Sequence, residues 1–356
     1  MVRLRLVDSF LLLLSTIVLI LLINLKLSSK TPVIPTKPPE PKRKSVTLSD
    51  GVHVYHLNLL HFQQEFPHLQ TYRCSPLYFP QLEDGGAAPL LLLAIKSHPA
   101  SNSRRAALRR TWARSADVMG YSVRPIFLIA LSDHEKHMEI VKVEKEEYED
   151  ILLWNFTEGH HNLSLKERCF LEWLYYNTPR AAFVFKGDDD VFVNPASLVQ
   201  YIKEHPSSPS TAHGALQRHS IVLRHSKYQV SVSLFPNSKY PYFLSGGGFL
   251  YPGASVPRLY HASMELPVFP LDDVYFGFLS LAANLTLQHE GRFHVFGLRF
   301  NPCNYQRALV VHRINPDHLL QMWSVVQEAK CDITVPTLRD GGQPANVTGH
   351  GSERRH

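Results

Sequence analysis

Several stretches of the chain are apolar at almost every position and end abruptly in polar or turn-forming residues. Residues 89–97 read Pro-Leu-Leu-Leu-Leu-Ala-Ile-Lys-Ser, and similar runs occupy 123–131, 151–156 and 183–185. Continuous rather than alternating apolarity predicts strands buried on both faces. Between them the period changes. Ser103 is placed to cap a helix running through Thr111 and Trp112, residues 136–148 predict a charged helix, and 163–176 an amphipathic one. Strand and helix in alternation imply an α/β fold with a doubly wound, mostly parallel sheet. From Gly214 to Gly248 the pattern loosens into short segments and turns, and no repeat of fixed period is present.

The ends differ from this middle. Residues 9–25 contain no charge and predict a transmembrane signal-anchor at the short end of what crosses a bilayer, behind a cytoplasmic tail of residues 1–8. The alternative is a cleaved signal peptide, but residues 26–30 offer no small-x-small cleavage site. Residues 26–70, with Pro32, Pro35, Pro38, Pro39 and Pro41, predict an extended stem, and the main folded domain, 71–332, begins near Cys74. Residues 333–356 are rich in glycine, proline and charge and predict a disordered tail. Arg3 and Arg5 before the apolar span against Lys26, Lys30 and Lys37 after it leave orientation open by charge alone. The acceptor sequons at Asn155, Asn162, Asn284 and Asn346 all follow the span and favour a lumenal domain. There disulfides are permitted. Of the four cysteines, Cys303 and Cys331 are expected to pair across the last helix, with the pairing of Cys74 and Cys169 left open. A formal charge of +6 suits an anionic partner, a nucleotide or a membrane surface, and no nucleic-acid signature accompanies it.

Candidate chemistry begins where the run at 183–185 ends. Asp188, Asp189 and Asp190 follow it at a strand's carboxyl end, where open α/β sheets bind ligands. Adjacent carboxylates repel unless neutralised, and hard oxygen ligands suit Mg²⁺ or Mn²⁺ shared with a phosphate. Arg105 and Arg109 lie four apart and share a helix face that could meet a diphosphate. Gly246, Gly247 and Gly248 permit close backbone approach to a ligand. Asp272 and Asp273 precede an apolar helix-like run and read either as a general base or as a helix cap. His312, on the apolar stretch Val310–His312, is a core residue unless the fold brings it to the acidic triplet.

Taken together, Arg104-Arg105-x-x-x-Arg109-Arg110-Thr-Trp112, Lys186-Gly-Asp-Asp-Asp-Val-Phe-Val-Asn194, Gly246-Gly-Gly-Phe, Asp272-Asp273-Val-Tyr-x-Gly277 and Pro302-Cys303 with Val311-His312 resemble the β-1,3-glycosyltransferases of the Golgi, over residues 70–332. That resemblance implies a GT-A-like fold and inverting, metal-dependent transfer from UDP-GlcNAc, or alternatively UDP-galactose, to a galactose- or N-acetylgalactosamine-terminated glycan, glycoprotein or glycolipid. It implies Asp190, Asp188 and His312 at Mn²⁺ (or Mg²⁺), and Asp273 as base with Asp272 beside it. Arg104, Arg109, Lys186, Asp188, Asp189, Gly247 and Gly248 are implied at the donor, in a single-pass type II Golgi membrane protein. Residues 214–229 match only loosely, which leaves acceptor choice open. An inactive lumenal binding or scaffold protein on the same fold is the alternative of another class, and Asp190 and Asp273 speak against it. A phosphatase of the Asp-x-Asp type is disfavoured by Phe192.

Overall fold

The computed structural model describes residues 45–82, 87–178, 180–205 and 209–331. The signal-anchor expected at 9–25, the sequon at Asn346 and the tail at 333–356 lie outside the described residues. Within them, no helix is long and apolar enough to cross a membrane.

Strands β1 (Ser45–Ser49), β2 (Val54–Asn58), β3 (Pro76–Tyr78), β4 (Leu90–Lys96), β5 (Ala116–Val118), β6 (Tyr121–Leu131) and β7 (Ile151–Thr157) make up the first half. The second half adds β8 (Ala181–Asp188), β9 (Val191–Val193), β10 (Thr211–Gln217), β11 (Phe243–Pro252), β12 (Thr286–His289), β13 (Phe293–His294) and β14 (Val310–His312). The large sheet runs β12-β10-β11-β8-β4-β6-β7-β3, with β5 on β6. Its centre, β8-β4-β6-β7, is parallel. On its flanks β11 runs antiparallel to β8 and β10 to β11, and β3 closes the far edge antiparallel to β7. The expected fold class therefore holds at the centre, with mixed edges.

Burial explains the continuous apolar runs. Leu91, Leu93 and Ile95 of β4 enter a core shared with the helices Asn102–Arg109, Pro195–Glu204 and Pro316–Glu328. Leu92 and Ala94 point the other way, into a core with the helices Leu163–Asn177, Val256–Glu265 and Asp272–Ala282. A strand covered on both faces needs no polar alternation. The helix after β4 starts earlier than expected: Ser101 is its N-cap, and Ser103 lies inside it.

Two boundaries differ from expectation. Among the described residues, packed structure is already present from Ser45, ahead of Cys74: β1 and β2 form a hairpin, and the helices Leu59–Glu65 and Pro67–Thr71 follow. Tyr55, Leu57, Phe62 and Leu69 are buried in the main core, so the carboxyl half of the expected stem is part of the domain. Cys74 is disulfide-bonded to Cys169, which ties this N-terminal segment to the buried helix Leu163–Asn177, while Cys303 pairs with Cys331 around the helix Pro316–Glu328.

The Cys74–Cys169 bridge spans 95 residues of chain and Cys303–Cys331 only 28. A longer closed loop restrains the unfolded chain more, so replacing Cys74 and Cys169 by serine is expected to cost about 2–5 kcal/mol of stability and to exceed the loss from Cys303→Ser with Cys331→Ser. Denaturant unfolding of both double variants checks this, and the reverse ranking would contradict it.

Candidate active site

Parallel register builds the site. Lys96, the last residue of β4, is the direct partner of Asp188, the last of β8. The chain then turns through Asp189 and Asp190 into β9, whose Val191 pairs with His312 of β14. The small sheet β13-β14-β9 thus delivers His312 to the acidic turn. His312 Nε2 lies 3.0 Å from Asp190 Oδ1 and 3.7 Å from Asp188 Oδ2. Its Nδ1 stands 3.0 Å from the Val295 carbonyl, which can only accept, so Nδ1 carries a proton and Nε2 is the nitrogen turned toward the two carboxylates.

Among the described residues, Asp188, Asp190 and His312 offer a cluster of three ligand atoms all within 4.8 Å of one another. Two carboxylates and an imidazole with its outer nitrogen already engaged suit Mn²⁺ or Mg²⁺ completed by phosphate or water oxygens. The donor set therefore fits the expected cation. The hydrogen bond from His312, aided by its charge and that of Arg104, outweighs burial and holds the Asp190 carboxyl below its ordinary value; the same bond raises His312.

The third carboxylate has a different task. Asp189 accepts from Arg104 Nη1 at 2.9 Å and from the Ser97 hydroxyl at 2.7 Å. Arg105, fully buried, donates to Ser97 Oγ and makes a two-point pair with Glu144. Arg109 pairs with Asp150 and Glu144. Arg104 therefore faces the cleft as expected, whereas Arg109 does not: its acidic partners hold it against the helix Glu135–Tyr148 and the turn after it. Lys186 is likewise absent from the cleft. It is buried, paired with Glu167 and 3.9 Å from Asp272.

A cleft of about 360 Å³ opens on the triplet, lined also by Lys96, Ser97, His98, Arg104 and His312 and by Glu158, Gly159, His160, Leu163 and Lys166. Lys166 Nζ is held by Glu158 (2.7 Å) and donates to the Ser97 carbonyl (2.9 Å). None of Lys96, Ser97, His160 or Lys166 was expected at the site. A lysine closing an otherwise apolar strand was the available signal for the first.

Lys96 links the triplet to the second acidic pair. Its ammonium lies 2.9 Å from Asp188 and 2.7 Å from Asp272. Burial opposes its charge, but Asp188, Asp272 and Asp273 outweigh burial and hold the lysine well above its usual range. Asp272 and Asp273 open the helix Asp272–Ala282, whose N-cap is Leu271 with no side-chain cap bond. Asp273 reaches instead across to β11, accepting from the Gly246 amide at 3.0 Å. The helix-cap reading is thereby excluded. Burial, reinforced by the Asp272 charge, pushes the Asp273 carboxyl up to about 7. Burial would raise Asp272 as well, but Lys96 and Lys186 hold it below the normal carboxylate range.

The glycine run explains itself sterically. A Cβ on Gly246 would stand 2.8 Å from Asp273 Oδ1, one on Gly247 3.1 Å from the His312 ring, and one on Gly248 3.0 Å from Val310 Cγ1. Gly247 and Gly248, expected against the donor, are absent from the cleft lining and make room for site side chains and core. Gly277 does the same for the helix, where a Cβ would meet the Tyr242 carbonyl at 2.9 Å. Of the sequons, Asn155 and Asn284 are exposed, while Asn162 is half-buried and donates to the Thr157 carbonyl at the cleft's edge.

Residues 103–291 match the galactosyltransferase family. A human acetylgalactosaminyl-O-glycosyl-glycoprotein β-1,3-N-acetylglucosaminyltransferase is 37% identical over 280 residues, covering 72% of this chain and 73% of its own. A rat UDP-GlcNAc:βGal β-1,3-N-acetylglucosaminyltransferase 7 is 34% identical over 332 residues, covering 84% and 82%. Among solved structures, a galactosyltransferase in complex with donor and acceptor sugar analogues is similar at a TM-score of 0.34 and 11% identity, over 69% of this chain and 97% of its own, too slight a likeness to carry weight. On the strength of the family match and these relatives, the chain belongs to the galactosyltransferase family and is a glycosyltransferase.

Proposed function

We propose that this protein transfers N-acetylglucosamine from UDP-GlcNAc, with inversion, in β-1,3 linkage to a galactose- or N-acetylgalactosamine-terminated glycan. One observation carries the reading: a single buried lysine, Lys96, bridges Asp188 of the Asp188–Asp190–His312 cluster to Asp272 of the Asp272–Asp273 pair. Direct displacement needs those two functions apart, one at the leaving diphosphate and one at the attacking hydroxyl. The names of the human and rat relatives support N-acetylglucosamine as the sugar and a β-1,3 linkage. The family's own name keeps UDP-galactose as the second reading, and a panel of UDP-sugars with one acceptor separates the two.

Asp188, Asp190 and His312 would hold Mn²⁺ or Mg²⁺, which when bound supplies positive charge to the leaving diphosphate. Arg104, part-exposed at the cleft and fixed by Asp189, adds a guanidinium suited to phosphate oxygens. Asp273 takes the proton of the acceptor hydroxyl, and the raised affinity of its carboxylate for protons makes it a stronger base than a solvated aspartate. Lys96 favours the ionised forms of Asp188 and Asp272, against the burial that raises Asp188, and offsets their mutual repulsion. The expected N-terminal signal-anchor and the sequons support placement in the Golgi membrane, with the catalytic domain lumenal and glycans at exposed Asn155 and Asn284.

EDTA is expected to abolish UDP release from UDP-GlcNAc in the presence of a galactosyl acceptor, and Asp190→Ala to lower it on the order of 100-fold. Activity indifferent to both would sink the metal assignment. Asp273→Asn is expected to lower kcat by about 10²–10⁴-fold with the donor's KM little changed.

The sign of the pH dependence follows from the carboxyl's raised value. Asp273 must be ionised to act, so kcat/KM rises with pH through about 7 and is lost below it. Asp272→Asn removes the neighbouring charge that helps raise Asp273, and the acidic limb should move to lower pH. A pH–rate profile in which this limb stays put would contradict the pairing.

A further inference from the structure

Phe296 is 75% exposed, against 41–45% for the other exposed aromatics Tyr148, Tyr228, Tyr242 and Phe300. Single exposed apolar residues are ordinary on protein surfaces. This one stands on a backbone fixed to the site. β13 and β14 are parallel, pairing Phe293 with Val310 and His294 with Val311, so the chain leaving β13 runs beside His312. Val295 gives its carbonyl to His312 Nδ1 at 3.0 Å. Gly297, in the left-handed region at φ 89°, faces the His312 carbonyl, which a Cβ there would meet at 3.6 Å. Phe296 thus follows directly on a residue bonded to a metal-site ligand, and Phe293 and Val295 anchor the segment in the core.

The cleft lining reaches His312 and does not include Phe296, which places the ring outside the space where a donor diphosphate would meet Arg104 and the triplet. Asp273 and His312 rest against consecutive residues of β11, Gly246 and Gly247, so the segment beside His312 borders the part of the site that holds Asp273. We propose that Phe296 is an acceptor-docking residue, its ring stacking on the apolar C–H face of the acceptor hexose as an aromatic ring packs on any flat apolar surface. The proposal rests on the sugar-transfer reading above.

With UDP-GlcNAc, Mn²⁺ and a galactose-terminated acceptor, Phe296→Ala is expected to raise the acceptor's KM about tenfold. The donor's KM and the slow release of UDP without acceptor should stay at wild-type levels, and Phe296→Trp should restore acceptor binding. An unchanged acceptor KM, a parallel rise in donor KM, or an equal fall in acceptor-free UDP release would overturn the assignment. The last two would mean that the ring serves the donor or the fold. A wild-type protein that transfers from no UDP-sugar sinks the functional reading and this proposal together; an active wild type with an unaffected Phe296→Ala variant sinks this proposal alone.

Discussion

The site depends on one buried ammonium. Asp188, Asp189, Asp190, Asp272 and Asp273 crowd into the end of a sheet whose interior is apolar, and Lys96 stands between two of them. Taking an ion from water into such surroundings costs several kcal/mol, and a single ion pair does not always return that much. Here two carboxylates at 2.7 and 2.9 Å oppose the penalty together, each attraction about 6 kcal/mol at an effective dielectric near 20. The balance favours the charged lysine. A neutral side chain there would leave Asp188 and Asp272 facing each other unscreened. The neighbouring Ser97 extends the same hub, its hydroxyl holding Asp189 and its carbonyl receiving Lys166.

Everything around that hub can be read as a means of keeping it rigid. The parallel register fixes Lys96 beside Asp188 through backbone hydrogen bonds rather than side-chain rotamers. Arg105 and Arg109 spend their guanidinium groups on Glu144 and Asp150, locking the loop after β4 to the helix behind it. Trp112 donates to the Val191 carbonyl from beneath, steadying the turn between β8 and β9. Side chains locked in this way carry no chemistry of their own, yet they set the positions of those that do.

The sequence revealed the strands because a strand buried on both faces is written as an unbroken apolar run, and the triplet because three carboxylates after such a run are hard to explain otherwise. His312 was legible only conditionally, since its arrival depends on β14 pairing with β9 across a long stretch of chain. Arg109 and Lys186 lie away from the cleft for the same reason. Their acidic partners, Asp150 and Glu167, lie on other elements, and nothing local in the sequence announces those contacts. Residues 45–70 follow a proline-rich stretch whose composition predicts an extended stem. The alternation at Tyr55 and Leu57, both buried in β2, was present in the sequence and outweighed by that composition.

The glycine run of β11 has a metrical consequence. Asp273 rests against Gly246 and His312 against Gly247, consecutive residues with no cis peptide between them. Neighbouring α-carbons across a trans peptide lie about 3.8 Å apart and cannot stretch. The two backbone points against which Asp273 and His312 rest are therefore spaced by one covalent peptide unit. A side chain at either glycine would press on Asp273 or His312 directly, because the backbone between the two positions cannot lengthen to make room.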